Sequence, residues 1–246
     1  MNGIKYKLKV IECDTYENLS NHAAMMIVQQ IAEKPDSVLG LSTGGTPVGM
    51  YRELIKLYRS NHVNFGGVRT FNLDEYVGLA PDHPQSYHQY MYHNLYKHVN
   101  LPENQRFIPS GEKKSINSEV NHYEKKIIES GGIDLQILGI GENGHIGFNE
   151  PFTPFKQTVH TVKLEESTRR ANAKYFSSIE EVPERAITMG IETIMRSKKI
   201  VLLISGFKKK HAFQKLMSSQ ISEEFPASIL RLHHDVTVIV ERDALF

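Results

Sequence analysis

Tryptophan is missing from this chain, and cysteine occurs once in its 246 residues, as Cys13. A lone cysteine cannot close an internal disulfide, so the expected compartment is a reducing one and the expected location cytoplasmic. Long apolar runs are missing as well. VLGL, VLLI and VTVIV have the length of core strands and fall far short of the about 20 residues of a membrane span. The start, MNGIKYKLKVIECD, has no apolar h-region, so no secretory leader is expected. Neither charge sign dominates: 29 Lys and Arg against 28 Asp and Glu leave a net charge of +1. That balance argues against a basic face spread over the molecule and leaves room for a local basic pocket. No membrane and no nucleic-acid partner is therefore expected. No linker, repeat or low-complexity segment breaks the chain, which predicts one domain over residues 1–246. What the chain has in quantity is histidine, at 12 residues.

Short β-type runs alternate with helical periods. LKVIE at 8–12, SVLGL at 37–41, VRTFNL at 68–73, DLQILGI at 134–140, KIVLLIS at 199–205 and VTVIVE at 236–241 read as strands. A helical period runs over 16–33, with Ala23, Ile27 and Ile31 on one stripe. A second follows Pro47, with Met50, Leu54, Leu57 and Tyr58, and Pro47 suits its first position. Strands separated by helices predict βαβ crossovers and an α/β fold with a mostly parallel sheet. In such sheets ligands sit beyond the carboxyl ends of the strands. Residue clusters with chemical potential follow Leu41, Leu73 and Ile140.

The first cluster, Ser42-Thr43-Gly44-Gly45-Thr46-Pro47, joins a strand to a helix N-terminus. Its free amides, hydroxyls and dipole end could hold phosphate, although an ordinary βα turn would look the same. No Gly-Lys-Ser/Thr follows, so it is not a Walker A loop. In the second, Asp74 and Glu75 stand at a strand end and point different ways, so one of them at most faces a cleft. A partly desolvated carboxylate there could act as a general base on a carbon acid; a solvated acidic turn or helix cap is the alternative. The third, Gly139-Ile140-Gly141-Glu142-Asn143-Gly144, matches the dinucleotide fingerprint G-x-G-x-x-G, which should open a helix. Pro151 and Pro154 follow instead and forbid a long one. This segment offers His145 and Glu150, an imidazole and a carboxylate that could tune one another for proton transfer, or a loop histidine with a structural acid.

Histidines 83, 88, 93 and 98 recur every five residues. Five helical residues turn about 500°, which leaves neighbours about 140° apart, so a shared metal-binding face is excluded. A solvated, aromatic-rich helix or lid is expected there. Cations available to a phosphate are Arg169, Arg170, Lys174 and the run Lys208-Lys209-Lys210, the last beyond a strand end.

Taken together, LGLSTGGTP, FNLDEYVGL with HPQSY, and LGIGENGHIGFNEP resemble the glucosamine-6-phosphate deaminase family. The likeness continues through TRRANAKYF, VPERAITMGI and SGFKKK, nearly end to end. It implies a single Rossmann-like domain with helices on both faces of the sheet, as in phosphogluconolactonases and ribose-phosphate isomerases. The implied reaction turns glucosamine 6-phosphate and water into fructose 6-phosphate and ammonia, without a redox cofactor or required metal. By the same resemblance His145 is the ring-opening residue, with Asn143 and Glu150 around it, and Asp74 is the base that moves the C2 proton. The phosphate falls to Thr43, Gly44, Gly45 and Thr46, with Lys174 and Lys209 as cations. Asn143 stands where many members have Asp, and Lys174 where Arg is frequent. The sequence ends at Phe246, and the basic effector-site residues of the hexameric members are not matched over 152–163. The expectation is a monomer or small homo-oligomer without activation by N-acetylglucosamine 6-phosphate. Two other readings remain: a 6-phosphogluconolactonase, which needs no carbon-acid base, and a non-catalytic sugar-phosphate sensor. The sensor needs a helix-turn-helix segment, for which a first strand at Leu8 leaves no room.

Overall fold

A computed structural model of the protein describes residues 8–112, 114–218 and 220–245. Phe246 and half of the stretch read above for a leader lie outside them. In chain order the strands are β1 Lys9–Cys13, β2 Val38–Leu41, β3 Arg69–Asn72, β4 Asp74–Tyr76 and β5 Arg106–Phe107. They continue with β6 Leu135–Gly139, β7 His160–Lys163, β8 Arg185–Thr188, β9 Lys199–Ile204 and β10 Val236–Glu241. The helices are α1 Tyr16–Glu33, α2 Val48–Arg59, α3 Tyr87–Asn94 and α4 Ile116–Glu129, then α5 Glu166–Asn172, α6 Ile191–Met195 and α7 Lys210–Ser218.

Seven strands form one parallel sheet in the order β1-β10-β9-β6-β2-β3-β5. Alternate residues of each central strand face opposite layers, which is why the strands read as unbroken apolar runs. Val38, Leu138, Leu202 and Val238 pack on one side with Ile127 of α4 and Leu216 of α7. Leu39, Ile137, Leu203 and Ile239 pack on the other with Leu19 and Ile27 of α1 and Leu54 of α2. Helices on both faces of a mostly parallel sheet are thus the observed architecture. Among the described residues no helix is long and apolar enough to cross a membrane.

From β2 the chain builds outward through β3 to β5, then returns to β6 on the other side of β2. The direction of construction reverses between β2 and β6, the switch point at whose carboxyl ends sheets of this kind bind ligands. The three clusters after Leu41, Leu73 and Ile140 follow β2, β3 and β6.

A second sheet was not expected. Strands β4, β8 and β7 form an antiparallel sheet in the order β4-β8-β7. Asp74 is paired with Thr188 in it, so the acid pair lies in a strand and not in a solvated turn. Leu73 O accepts the Met189 N–H at 2.7 Å, which continues the clasp past the strand end.

Where β2 and β6 meet, Gly40 leaves space for the Gln136 side chain: a β-carbon on residue 40 would stand 2.0 Å from Gln136 Oε1. Gln136 is fully buried, so it has no solvent to retreat into. Gly40→Ala is expected to destabilise the protein by about 1–3 kcal/mol through overpacking, read from urea unfolding midpoints.

Candidate active site

Helix α1 is capped by Thr15, whose side chain accepts the Asn18 N–H at 3.2 Å. Its first residue, Tyr16, reaches the turn after β2: the hydroxyl contacts Thr46 O at 2.9 Å and accepts the Gly49 N–H at 2.8 Å. That reach depends on close packing of α1 and α2. A β-carbon at Gly49 would lie 2.1 Å from Ser20 Oγ. Gly49→Ala is therefore expected to part the helices, with a stability loss of about 1–3 kcal/mol read from urea unfolding midpoints. Pro47 sits one position earlier than expected, at the N-cap, where it supplies no capping side chain. At the positive end of α2 the Gly49 N–H is taken up by Tyr16, and no side chain of the N-cap residue adds to it. From the opposite side Tyr90 of α3 donates to Gly44 O at 2.6 Å. The turn over 43–46 is held by tyrosines from α1 and α3, which the sequence reading did not single out. For Tyr90 the sequence signal is the tyrosine-rich stretch SYHQYMYHN over 86–94; Tyr16 carries none.

Among the cations, Lys209 and Lys174 share a neighbourhood. Burial lowers the Lys209 ammonium pKa; Glu142 opposes that, while the charges of Lys174 and Lys208 add to it. Lys174 Nζ stands 4.9 Å over the ring of Tyr175, and the Tyr175 hydroxyl comes within 3.8 Å of the β-carbon position of Gly45. Lys174 is thus linked to the glycine turn through Tyr175, and Lys209 feels the charges of Lys174 and of Glu142 in the loop after β6. The two arginines do not serve the turn. Arg169 donates to the carbonyls of Ile179 (2.9 Å) and Val182 (3.0 Å), and Arg170 pairs with Glu166 along an exposed face of α5.

The loop after β6 opens no helix, in keeping with its prolines. Gly141 N–H donates to His145 O at 2.9 Å and Gly144 N–H to Gly141 O at 3.0 Å, which curls the segment on itself. The His145 ring lies flat against Gly141, where a β-carbon would fall 2.2 Å from Cε1. His145 Nδ1 faces Glu150 Oε2 at 3.5 Å, longer than a hydrogen bond. Asn143 locks both: its Nδ2 donates to Glu150 Oε2 at 2.8 Å, and its Oδ1 accepts the His145 N–H at 3.2 Å. An amide suits this place because it can donate to an ionised carboxylate, which an aspartate could not. Thr168 of α5 donates to the other oxygen, Oε1. Burial pushes the Glu150 carboxyl up, but His145, Thr168 and Asn143 together outweigh it and hold it below its ordinary value.

Asp74 meets this loop through the antiparallel sheet. Phe148 N–H donates to Thr188 Oγ1 at 3.2 Å, and Asn149 Nδ2 donates to Met189 O at 2.8 Å. A β-carbon at Gly147 would stand 3.6 Å from Asp74 Oδ2. Asp74 is buried, and burial first, then the neighbouring charge of Glu75, raises its carboxyl from 3.8 to about 8. Glu75 is buried too but turns toward α3, accepting the N–H groups of Tyr87 and His88. The structure therefore joins Asn143, His145 and Glu150 in one cluster and sets Asp74 against Gly147 of the same loop. The histidines of the five-residue series turn to different partners, and His98 Nε2 reaches the backbone carbonyl of His93, at 3.1 Å. His88 faces Glu75, His93 faces Lys97 at 2.9 Å, and His83 Nδ1 accepts the Gln85 N–H at 3.1 Å.

Comparison with known proteins agrees with this geometry. The profile of the family described as glucosamine-6-phosphate isomerases/6-phosphogluconolactonase matches residues 12–239. The chain belongs to this family. Within it, the chain is 52% identical over 237 residues to glucosamine-6-phosphate deaminase 1 of Bacillus subtilis (strain 168), covering 96% of this chain and 98% of the relative. A solved structure of a monomeric glucosamine-6-phosphate deaminase superposes with a TM-score of 0.95 at 52% identity, over 97% of this chain and 100% of that one. The family's lactonase branch shares the fold at greater distance: the 6-phosphogluconolactonase of Trypanosoma cruzi has a TM-score of 0.76 at 22% identity, over 99% and 98% of the two chains.

Proposed function

We propose that the protein is a glucosamine-6-phosphate deaminase, converting glucosamine 6-phosphate and water to fructose 6-phosphate and ammonia. The observation that carries this reading is the buried Asp74, with its carboxyl raised to about 8, set against the His145 loop. Lactone hydrolysis needs no carbon-acid base, whereas an aldose-to-ketose shift does. The relatives at about half identity bear the deaminase name.

The phosphate rests on the amides and hydroxyls of Thr43, Gly44, Gly45 and Thr46, with Lys174 and Lys209 balancing its charge. His145, oriented by Asn143 and Glu150, moves a proton from the C1 hydroxyl to the ring oxygen, and the pyranose opens. The Asp74 carboxylate then takes the C2 proton and leaves an enolamine. Return of a proton to C1 gives the ketimine; water adds at C2, the carbon–nitrogen bond breaks, and ammonia leaves. Holding the sugar at both ends supplies the orientation this chemistry needs. The reaction suits the degradation of N-acetylglucosamine after deacetylation, in a cytoplasmic, single-domain enzyme working as a monomer or small homo-oligomer.

Ammonia release from glucosamine 6-phosphate, run beside hydrolysis of 6-phosphogluconolactone, tests the reading. Ammonia with hyperbolic kinetics that N-acetylglucosamine 6-phosphate leaves unchanged is the expected result. Lactone hydrolysis without ammonia would overturn the reaction, and sigmoidal rates relieved by that ligand would overturn the absence of an effector.

A further inference from the structure

Glu75 is buried beside Asp74 and has no part in the steps above. Its Oε1 accepts the N–H groups of Tyr76 at 2.8 Å and Tyr87 at 3.0 Å, and its Oε2 those of Tyr87 at 2.9 Å and His88 at 3.2 Å. The half-buried ring of His88 adds Nδ1 at 2.9 Å from Oε2. Tyr87 and His88 open α3, whose own N-cap, Ser86, accepts the Gln89 N–H at 3.1 Å. Glu75 thus satisfies the first amides of α3, which have no intrahelical partner, and sets a carboxylate at the helix's positive end. One turn on, Tyr90 donates to Gly44 O at 2.6 Å. A continuous path runs from the strand of Asp74, through Glu75 and the first turn of α3, to the turn over 43–46.

We propose that Glu75 is a positioning residue: clamping the N-terminus of α3, it fixes the span between the Asp74 carboxylate and the phosphate turn. A sugar phosphate anchored at one end then presents C2 to its base at the other. This rests on the deaminase reading. The charge of Glu75 also contributes to the raised carboxyl of Asp74, second to burial. The other groups that exchange charge effects with Asp74 are the phenols of Tyr51 on α2, Tyr76 on β4, Tyr87 on α3 and Tyr123 on α4. Burial raises the pKa of each phenol well above the range of an assay, so they stay neutral throughout. Across β8 the facing group is the uncharged Thr188.

The test is a mutant cycle with two readouts, turnover and calorimetric binding of inorganic phosphate. Glu75→Gln is expected to lower kcat by about 10- to 100-fold and to move the acid limb of kcat/KM to lower pH. It should also weaken phosphate by about three- to tenfold. Tyr90→Phe should weaken phosphate by a similar factor and leave the acid limb in place. The double variant should bind phosphate no worse than the weaker single one, because both act along one path. Additive losses with an unmoved acid limb overturn the proposal. If Glu75→Gln does not fold, His88→Gln, which trims the clamp from its half-buried side, replaces it in the phosphate cycle with the same expected non-additivity, and additivity there overturns the proposal equally. Absence of ammonia from the wild-type protein would sink the reaction itself, while the phosphate cycle needs no turnover and judges the clamp alone.

Discussion

Asp74→Asn is expected to abolish exchange of the substrate's C2 proton with solvent and to lower kcat by about 10²–10⁴-fold, the range for loss of a general base. Phosphate affinity should hold, because the 43–46 turn and its tyrosine supports do not depend on that carboxylate. The same substitution has a signature in stability. Asp74's carboxyl rises on folding from 3.8 to about 8, so the folded state binds a proton that the unfolded chain has released. Its contribution is fully present below about pH 4 and is lost as pH rises through about 8, at ~1.4 kcal/mol for each pH unit climbed between those limits. The amide of the variant cannot ionise, so Asp74→Asn should be at least about 1 kcal/mol more stable than wild type at pH 8, with the gap closing toward pH 4. Urea unfolding at the two pH values measures it. A site that gains stability on losing its charge is one in which burial has been retained for chemistry. The acid limb of wild-type kcat/KM should lie near 8 for the same reason. In the complex, a substrate ammonium at C2 favours the carboxylate, so the limb of kcat should fall at lower pH. Normal C2 exchange in the Asn variant would place the base elsewhere.

The parallel sheet and the ends that carry the site were legible because each central strand is buried on both faces. VLGL, LQILG and KIVLLI leave no other reading than buried strands, and the clusters behind them followed from the strand-end rule. Helix α1 was legible to its end residues, Tyr16 and Glu33. The antiparallel sheet was not. Asp-Glu-Tyr, His-Thr-Val-Lys and Arg-Ala-Ile-Thr have neither length nor alternation enough to announce strands; they become strands only because β8 pairs with both others. That sheet carries Asp74 to the His145 loop, so the contact on which the proposed chemistry rests was the least visible locally. The tyrosines on the 43–46 turn were hidden for a related reason: Tyr16 and Gly49 meet across 33 positions, and nothing in the helical period of α1 marks its first residue as a partner of another loop. Arg169 shows the converse. A cation in a promising stretch spends its donors on the carbonyls of Ile179 and Val182, which composition could not foretell.

His145→Gln should separate ring opening from proton abstraction. Glutamine keeps a polar side chain against Gly141 but cannot shuttle a proton between the C1 hydroxyl and the ring oxygen. Asp74 remains intact in this variant, so any aldehyde formed spontaneously in solution can still be bound, deprotonated and deaminated. The residual rate is then set by a step that occurs off the protein. Two consequences follow. kcat on the pyranose should fall by about 10²–10⁴-fold, and at high protein concentration the velocity should level off, rising with buffer catalyst instead of with added enzyme. The Asp74→Asn variant, blocked at a step that only the protein performs, should show a residual velocity proportional to enzyme at every concentration. Glu150→Gln should fall between wild type and His145→Gln, since it leaves the imidazole in place and removes the anion held 3.5 Å from Nδ1. Its deficit should be flat above neutral pH. The Glu150 carboxyl is held below its ordinary value, so in the wild type its contribution is present throughout that range and disappears only as pH falls through the depressed pKa. Velocity of the His145 variant that stays proportional to enzyme at all concentrations would show that another group opens the ring.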